Sequence, residues 1–378
     1  MTVEVDEGVL DDVSAMESRD PDQMLRAVAT GAAQIRSALT SAADAGLEQL
    51  KELGRPRAVV VAGMGGSGIA GDVLAAIAAP AAQAPVIVQR EPGLPGWVGA
   101  ADVVIAVSCS GGTQETLAAT DEAVRRGAAL VGIGAADSSL SRRCTQARAP
   151  FVPVVKRLAP RASMWALATP VLVAGARLGL LDLSADAFEA AAARLETVAE
   201  TCRPDREAFV NPAKQLALEL TGSLPMIWGA GTTGGVAAYR FGCQLAENAK
   251  YPAVVGALPE AHHNQVVSFD GTLAGGPTAE ADLFRDRVDD EEPLRLRLML
   301  LHDDDGDEAV KARVDVSEQI AHERGVAVTS LRSEGDGPLE RLASLVGLID
   351  YATVYLALLL GIDPTPVSPI DALKRRLA

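Results

Sequence analysis

The feature that most restricts this chain is a short apolar run that breaks into glycines and then into a helix, and it occurs twice. AVVVAG leads into the loop GMGGSG at 63–68, and SLPMIWGAG leads into TTGG at 232–235. An apolar run of this length bounded by glycine reads as a strand buried on both faces, and such strands belong to parallel sheets. Parallel neighbours need a crossover, and helical spacing appears where one belongs, over 67–79 and 113–126. Strands are expected at AVVVAG, PVIVQ, DVVIAVS and ALVGIG in the first half. SLPMIWGAG, PAVVGAL, LRLRLMLLHDD and VAVTSLRS follow in the second, with helices over 307–324 and 339–360. A long helix over 23–50 precedes the first strand, and a helical stretch over 161–220, with boundaries at Pro204 and Pro212, separates the halves. Placing Gly63 on Gly229 gives an offset of 229 − 63 = 166 residues. The expected fold class is α/β, with two doubly wound, flavodoxin-like subdomains over 20–205 and 206–378, each a parallel sheet flanked by helices.

Charge and composition narrow the partners. A chain of 378 residues with formal charge −16 has room for two cores and repels polyphosphate backbones and anionic membranes. Neither nucleic acid nor membrane is therefore an expected partner. Cys109, Cys144, Cys202 and Cys243 lack any metal or disulfide spacing and read as reduced thiols. The acidic start, MTVEVDEGVLDD, is unlike a signal peptide, so a cytoplasmic location is expected. The apolar stretches 162–176 and 351–362 are shorter than the ~20 residues of a membrane span and read as buried helices.

The loop at 63–68 follows a strand and opens a helix, so its glycines let backbone N–H groups approach an anion at the positive helix end, with the Ser67 hydroxyl beside them. The same residues satisfy GxGxxG, the dinucleotide fingerprint. That reading wants an acidic residue about 20 positions on. Here PVIVQ ends in Gln89 and Arg90, with Glu91 beyond, so Arg90 facing a 2′-phosphate keeps an NADP-dependent oxidoreductase open as an alternative. SCSGGTQET carries more: Ser108, Ser110 and Thr113 surround one helix N-terminus, where capping alone needs one hydroxyl. Neutral donors of this kind suit an acidic protein that binds a small phosphomonoester.

GMGGSGIAGD, SCSGGTQET, PRAS, AENAK, PEAHHN and a lysine near the C-terminus, in this order, resemble the bifunctional phosphoglucose/phosphomannose isomerases of the sugar isomerase (SIS) superfamily. The resemblance implies two SIS-type subdomains, usually in a homodimer with a shared active site. It also implies isomerisation of glucose 6-phosphate and mannose 6-phosphate with fructose 6-phosphate through a cis-enediol. Gly65, Gly66, Ser67, Ser108, Ser110 and Thr113 would hold the sugar phosphate. The family's second loop usually reads SYSGNTEET, so Cys109, Gly112 and Gln114 depart from it, as does Ala70 in the first loop, while the hydroxyls are kept.

The same resemblance assigns the chemistry. Glu247 matches the base that moves a proton between C1 and C2; read without the family, it is an i,i+3 partner of Lys250 on a helix face. His263, 263 − 247 = 16 residues on, matches the ring-opening histidine, acting across the dimer interface. His262 and His263 side by side suggest metal ligands, but no third ligand stands at zinc spacing, and a reaction without metal or cofactor is expected. Lys374 matches a lysine near the ring oxygen, or else belongs to a solvated basic face with Arg375 and Arg376. Arg161 matches the arginine that stabilises enediolate charge, or else pairs with an acidic neighbour. A non-catalytic SIS regulator that senses a sugar phosphate would keep the serines with no need of Glu247, His263 and Lys374.

Overall fold

The computed structural model describes residues 5–155, 159–274, 294–303 and 307–377. Among these, Ala29–Glu196 with Gly337–Glu340 form a first compact unit, and the other described residues form a second.

The chain starts in the second unit with α1 (Val13–Arg19) and α2 (Met24–Val28). Two long-range contacts tie this segment down: the buried Lys214 ammonium donates to the carbonyl of Leu10, and Arg19 donates to that of Leu358 at 2.8 Å. In the first unit, α3 (Gly31–Asp44) and a 3₁₀ turn (Leu47–Leu53) lead to the first strand. The single helix expected over 23–50 is thus broken into pieces. Gly46, at φ 70°, adopts a left-handed conformation that no α-helix continues through.

β1 (Val59–Ala62), α4 (Gly66–Ala78), β2 (Val86–Gln89), β3 (Val103–Ser108), α5 (Gln114–Arg126), β4 (Ala129–Ala135), α6 (Ser139–Ala147) and β5 (Phe151–Val154) then build a parallel sheet of order β2-β1-β3-β4-β5. β1 and β3 are buried along their whole length, as their uninterrupted apolar sequence requires. Sequence reading missed α6 and β5. α6 buries only Leu140 and Cys144, too thin a stripe for a periodicity, and β5 contains Pro153, which a sheet tolerates because β5 lies at the edge. α7 (Met164–Arg177) packs against α3 and α4, and α8 (Ala185–Thr201) follows.

The second unit repeats the plan: α9 (Pro212–Leu220), β6 (Ser223–Ala230), α10 (Thr232–Gln244), β7 (Val254–Ala257), β8 (Arg295–His302), α11 (Glu308–Glu323), β9 (Ala327–Arg332), α12 (Pro338–Leu359) and α13 (Ser368–Leu377). Its sheet is parallel, of order β7-β6-β8-β9, with Trp228, Leu298, Leu300, Phe269 and Ala321 in the core. Asp304, the expected last residue of the LRLRLMLLHDD strand, lies outside the described residues. α12 is longer than the apolar stretch read at its end; its 22 residues match a membrane span in length, but 89% of its most apolar window is buried inside the protein.

Candidate active site

In the first unit the strand order reverses at β1: the chain moves to β2 on one side and returns to β3 on the other. Open α/β sheets bind ligands in the crevice at such a point, outside the carboxyl ends of the strands. Here that crevice is bordered by the two loops that run into α4 and α5, so two helix N-termini meet it. Gly65, at φ 53° and ψ −128°, turns the first loop in a conformation that side chains rarely adopt. Ser67, buried, accepts from the Cys109 N–H at 3.3 Å and so joins the two loops. The Ser108 and Thr113 hydroxyls lie 2.9 Å apart and share a hydrogen bond, and the Thr113 N–H donates to Ser108 Oγ at 3.4 Å. Thr113 is the N-cap residue of α5, yet its hydroxyl turns to Ser108 and makes no capping bond. Ser110, exposed, accepts from the Gly112 N–H at 3.3 Å.

Arg161 sits in a 3₁₀ turn, Pro160–Ser163, that enters α7, and it is buried. The turn lies against the first loop: a Cβ on Gly66 would stand 3.4 Å from the Pro160 carbonyl and 3.8 Å from Arg161 Cα. Gln34 of α3 fixes it, donating to the Ala162 carbonyl at 2.7 Å and accepting from the Ala166 N–H at 3.1 Å. Arg90, the candidate for a 2′-phosphate, is paired with Asp72. Burial pushes the Asp72 carboxyl above the usual carboxylate range, with Arg90 pulling against it.

In the second unit α10 ends in a π turn, Leu245–Ala249, that carries Glu247 half-buried between the exposed Ala246 and the buried Asn248. Wide turns of this kind inside helices recur at functional sites. Lys250 follows in the left-handed conformation, φ 54°. Its ammonium donates to the carbonyls of Glu247 at 3.0 Å and Asn248 at 3.1 Å, and to those of Asp363 at 3.0 Å and Pro364 at 3.1 Å. It thereby ties the Glu247 turn to the segment that precedes α13. The two histidines differ. His262 packs edge-on to Trp228, shares a 2.7 Å hydrogen bond with Ser317, and has its pKa lowered by burial and by Arg313 and His263. His263 is exposed at the end of a 3₁₀ turn, Glu260–His263. Lys374 is exposed on α13. Among the described residues no three His, Cys, Asp or Glu side chains stand together as metal ligands.

Of the residues expected to hold the phosphate, Ser108 and Thr113 are therefore hydrogen-bonded to each other and Ser67 to the same loop, with the Arg161 turn beside the first loop, while Glu247, His263 and Lys374 stand on three separate elements of the second unit. Gln34 had no signal in the sequence: it is one glutamine on a helix, 128 residues from the carbonyl it holds.

The second half of the chain, residues 209–377, matches the bacterial phospho-glucose isomerase C-terminal SIS domain, and residues 52–169 match the SIS domain. The bifunctional phosphoglucose/phosphomannose isomerase of Caldicellulosiruptor bescii is 32% identical over 85% of this chain and 89% of its own length. The protein of the same name from Aquifex aeolicus is 30% identical over 86% and 92%. Among solved structures, a hypothetical protein from Thermus thermophilus superposes with a TM-score of 0.69 at 17% identity, covering 98% of this chain and 95% of that one. The tagatose-6-phosphate ketose/aldose isomerase of Escherichia coli gives 0.64 at 13% identity, covering 95% and 97%. At these identities the superpositions speak for the fold.

Proposed function

The chain belongs to the bifunctional phosphoglucose/phosphomannose isomerase family, and on that premise we propose that it interconverts glucose 6-phosphate and mannose 6-phosphate with fructose 6-phosphate. The observation that carries the reading is the crevice between β1 and β3, lined by Ser67, Ser108, Ser110 and Thr113 at two helix N-termini. Hydroxyl and N–H donors there hold a phosphate dianion without a lysine or arginine from either loop.

In this reading His263, with Lys374 near the ring oxygen, opens the sugar ring by moving the O1 proton to O5. Glu247 takes the proton from C2 of the aldose as negative charge moves onto O1, which gives a cis-enediolate. The O2 proton passes to O1 through the cis-enediol arrangement, and return of the abstracted proton from Glu247 to C1 leaves the ketone at C2. Arg161 stabilises negative charge on the enediolate oxygens. His263 acts from the neighbouring subunit of a homodimer, in keeping with its exposure. We place the reaction in the cytoplasm, in keeping with the buried thiols of Cys144 and Cys202, each pushed by burial up to about 11.

A coupled assay on each of the three sugar phosphates tests the reaction. Glu247→Gln is expected to lower kcat by at least about a hundredfold while sugar-phosphate binding, followed by calorimetry, is retained. Turnover unchanged in that variant removes Glu247 as the base. Binding without turnover in the unaltered protein favours a sugar-phosphate-binding regulator instead.

A further inference from the structure

We propose that α12 is the positioning element for the Glu247 carboxylate and that Thr353 is its most direct positioning residue; the inference rests on the reading of Glu247 as the base. Arg240, Gln244 and Asn248 recur at every fourth position along α10 and its π turn, and all three are buried. Residues so spaced form a single stripe on a helix. The stripe faces two buried residues of α12, Asp350 and Thr353. Arg240 donates to both carboxylate oxygens of Asp350, from Nε at 2.8 Å and from its terminal nitrogen at 2.6 Å, and Gln244 adds a third donor at 3.2 Å. Asn248, the residue after Glu247, donates to Thr353 Oγ1 at 3.0 Å, and the Thr353 hydroxyl donates in turn to the Asp350 carbonyl at 3.0 Å.

Stability alone does not call for this stripe, because apolar side chains of similar volume serve a core as well as a buried ion pair does. What it supplies is direction. A fork of two N–H groups on a carboxylate fixes rotation and register, where apolar packing tolerates sliding. The consequence falls on Glu247, because the π turn begins directly after Gln244. A slip of one residue moves a helical side chain by ~1.5 Å along the axis and ~100° around it. A base must stay within hydrogen-bond reach of the carbon-bound proton it removes, and a misplacement of about 1 Å can cost about a hundredfold in rate.

Thr353→Val keeps the shape and removes the acceptor for Asn248; Thr353→Ser keeps the hydroxyl. Thr353→Val is expected to lower kcat about tenfold with KM within about twofold, and Thr353→Ser to recover most of the loss. In a Glu247→Gln background the valine change is expected to have no further effect on the residual turnover. Hydrogen exchange supplies a readout independent of chemistry: in Thr353→Val, amides of 245–250 exchange faster while those of β6 and β8 stay protected. If Glu247→Gln proves fully active, the base reading fails, and the exchange result alone decides whether α12 holds the turn. A Thr353→Val protein with lowered thermal stability but unchanged kcat and exchange overturns the proposal, as does a serine variant no better than the valine one.

Discussion

The molecule makes the same topological turn twice, at β1 in the first sheet and at β6 in the second, and the two crevices are furnished in opposite ways. At β1 the bordering loops, GMGGSG and SCSGGT, contain no acidic residue and present hydroxyls that bond one another. At β6 the chain supplies its own anion. Asp303, at the end of β8, accepts from the Thr233 hydroxyl in the first turn of α10 and from the Ser333 hydroxyl at 3.0 Å, and lies 2.7 Å from Arg341. Asp303, Thr233 and Arg341 are all buried. A helix N-terminus at a switch point favours negative charge, and whether the protein provides that charge decides whether a substrate phosphate has a place there. The second sheet uses its crevice to hold itself together; in the proposed reading the first leaves the electrostatics for a substrate phosphate to complete.

The largest expected effect comes from breaking the internal anion. Asp303→Ala removes from a buried site the carboxylate that faces the Arg341 guanidinium and accepts from the Thr233 and Ser333 hydroxyls, a loss of about 3 kcal/mol or more of stability. Urea unfolding followed by circular dichroism measures it. Stability equal to that of the unaltered protein would mean that the second crevice is not built around Asp303, and the contrast between the two would collapse.

Next in size is the corresponding change in the first unit. Ser108→Ala removes a hydroxyl assigned to the phosphate, and hydrogen bonds to charged groups are worth about 1.5–3 kcal/mol. KM for the sugar phosphate is expected to rise between about tenfold and a hundredfold with kcat little changed, the pattern of lost uniform binding. Thr233→Val, in the second crevice, is expected to leave KM where it was. Equal effects of the two changes on KM would show that the crevices are not specialised.

How much of this was legible in the sequence follows from the range of the forces involved. The buried strands were legible because an apolar run bounded by glycine is a local signal, and the loop hydroxyls because three of them crowd one helix start. α6 buries too few side chains to mark itself, and the helix expected over 23–50 hid a left-handed Gly46. The i,i+3 spacing of Glu247 and Lys250 gave no hint of the four backbone carbonyls to which the Lys250 ammonium donates, two of them more than 110 residues away in the chain. Gln34 and Thr353 escaped for the same reason: their partners lie 128 and 105 residues away, and a polar residue on a helix announces nothing until the fold brings its partner to it. The choice of His263 over His262 came from the family's spacing; the contacts of His262 with Trp228 and Ser317 had no signal in the sequence.

The smallest expected effect concerns where the first unit keeps its own buried acid. Asp102 stands at the start of β3, at the end of the strand away from Ser108, and accepts from Arg57 Nε at 2.9 Å and from the Gly99 N–H at 2.8 Å. Hydrogen bonding from Arg57 holds its carboxyl below the usual carboxylate range, against the opposing effect of burial. A carboxyl with a depressed folded pKa contributes stability that is present above its unfolded value, about 3.9, and lost as pH falls through the folded value. Asp102→Asn is therefore expected to lower the unfolding midpoint at neutral pH and to flatten its fall below about pH 4, while KM for the sugar phosphate at neutral pH stays unchanged. A change in KM would place Asp102 within reach of the substrate crevice, and the separation of a supporting end from a binding end along β3 would fail.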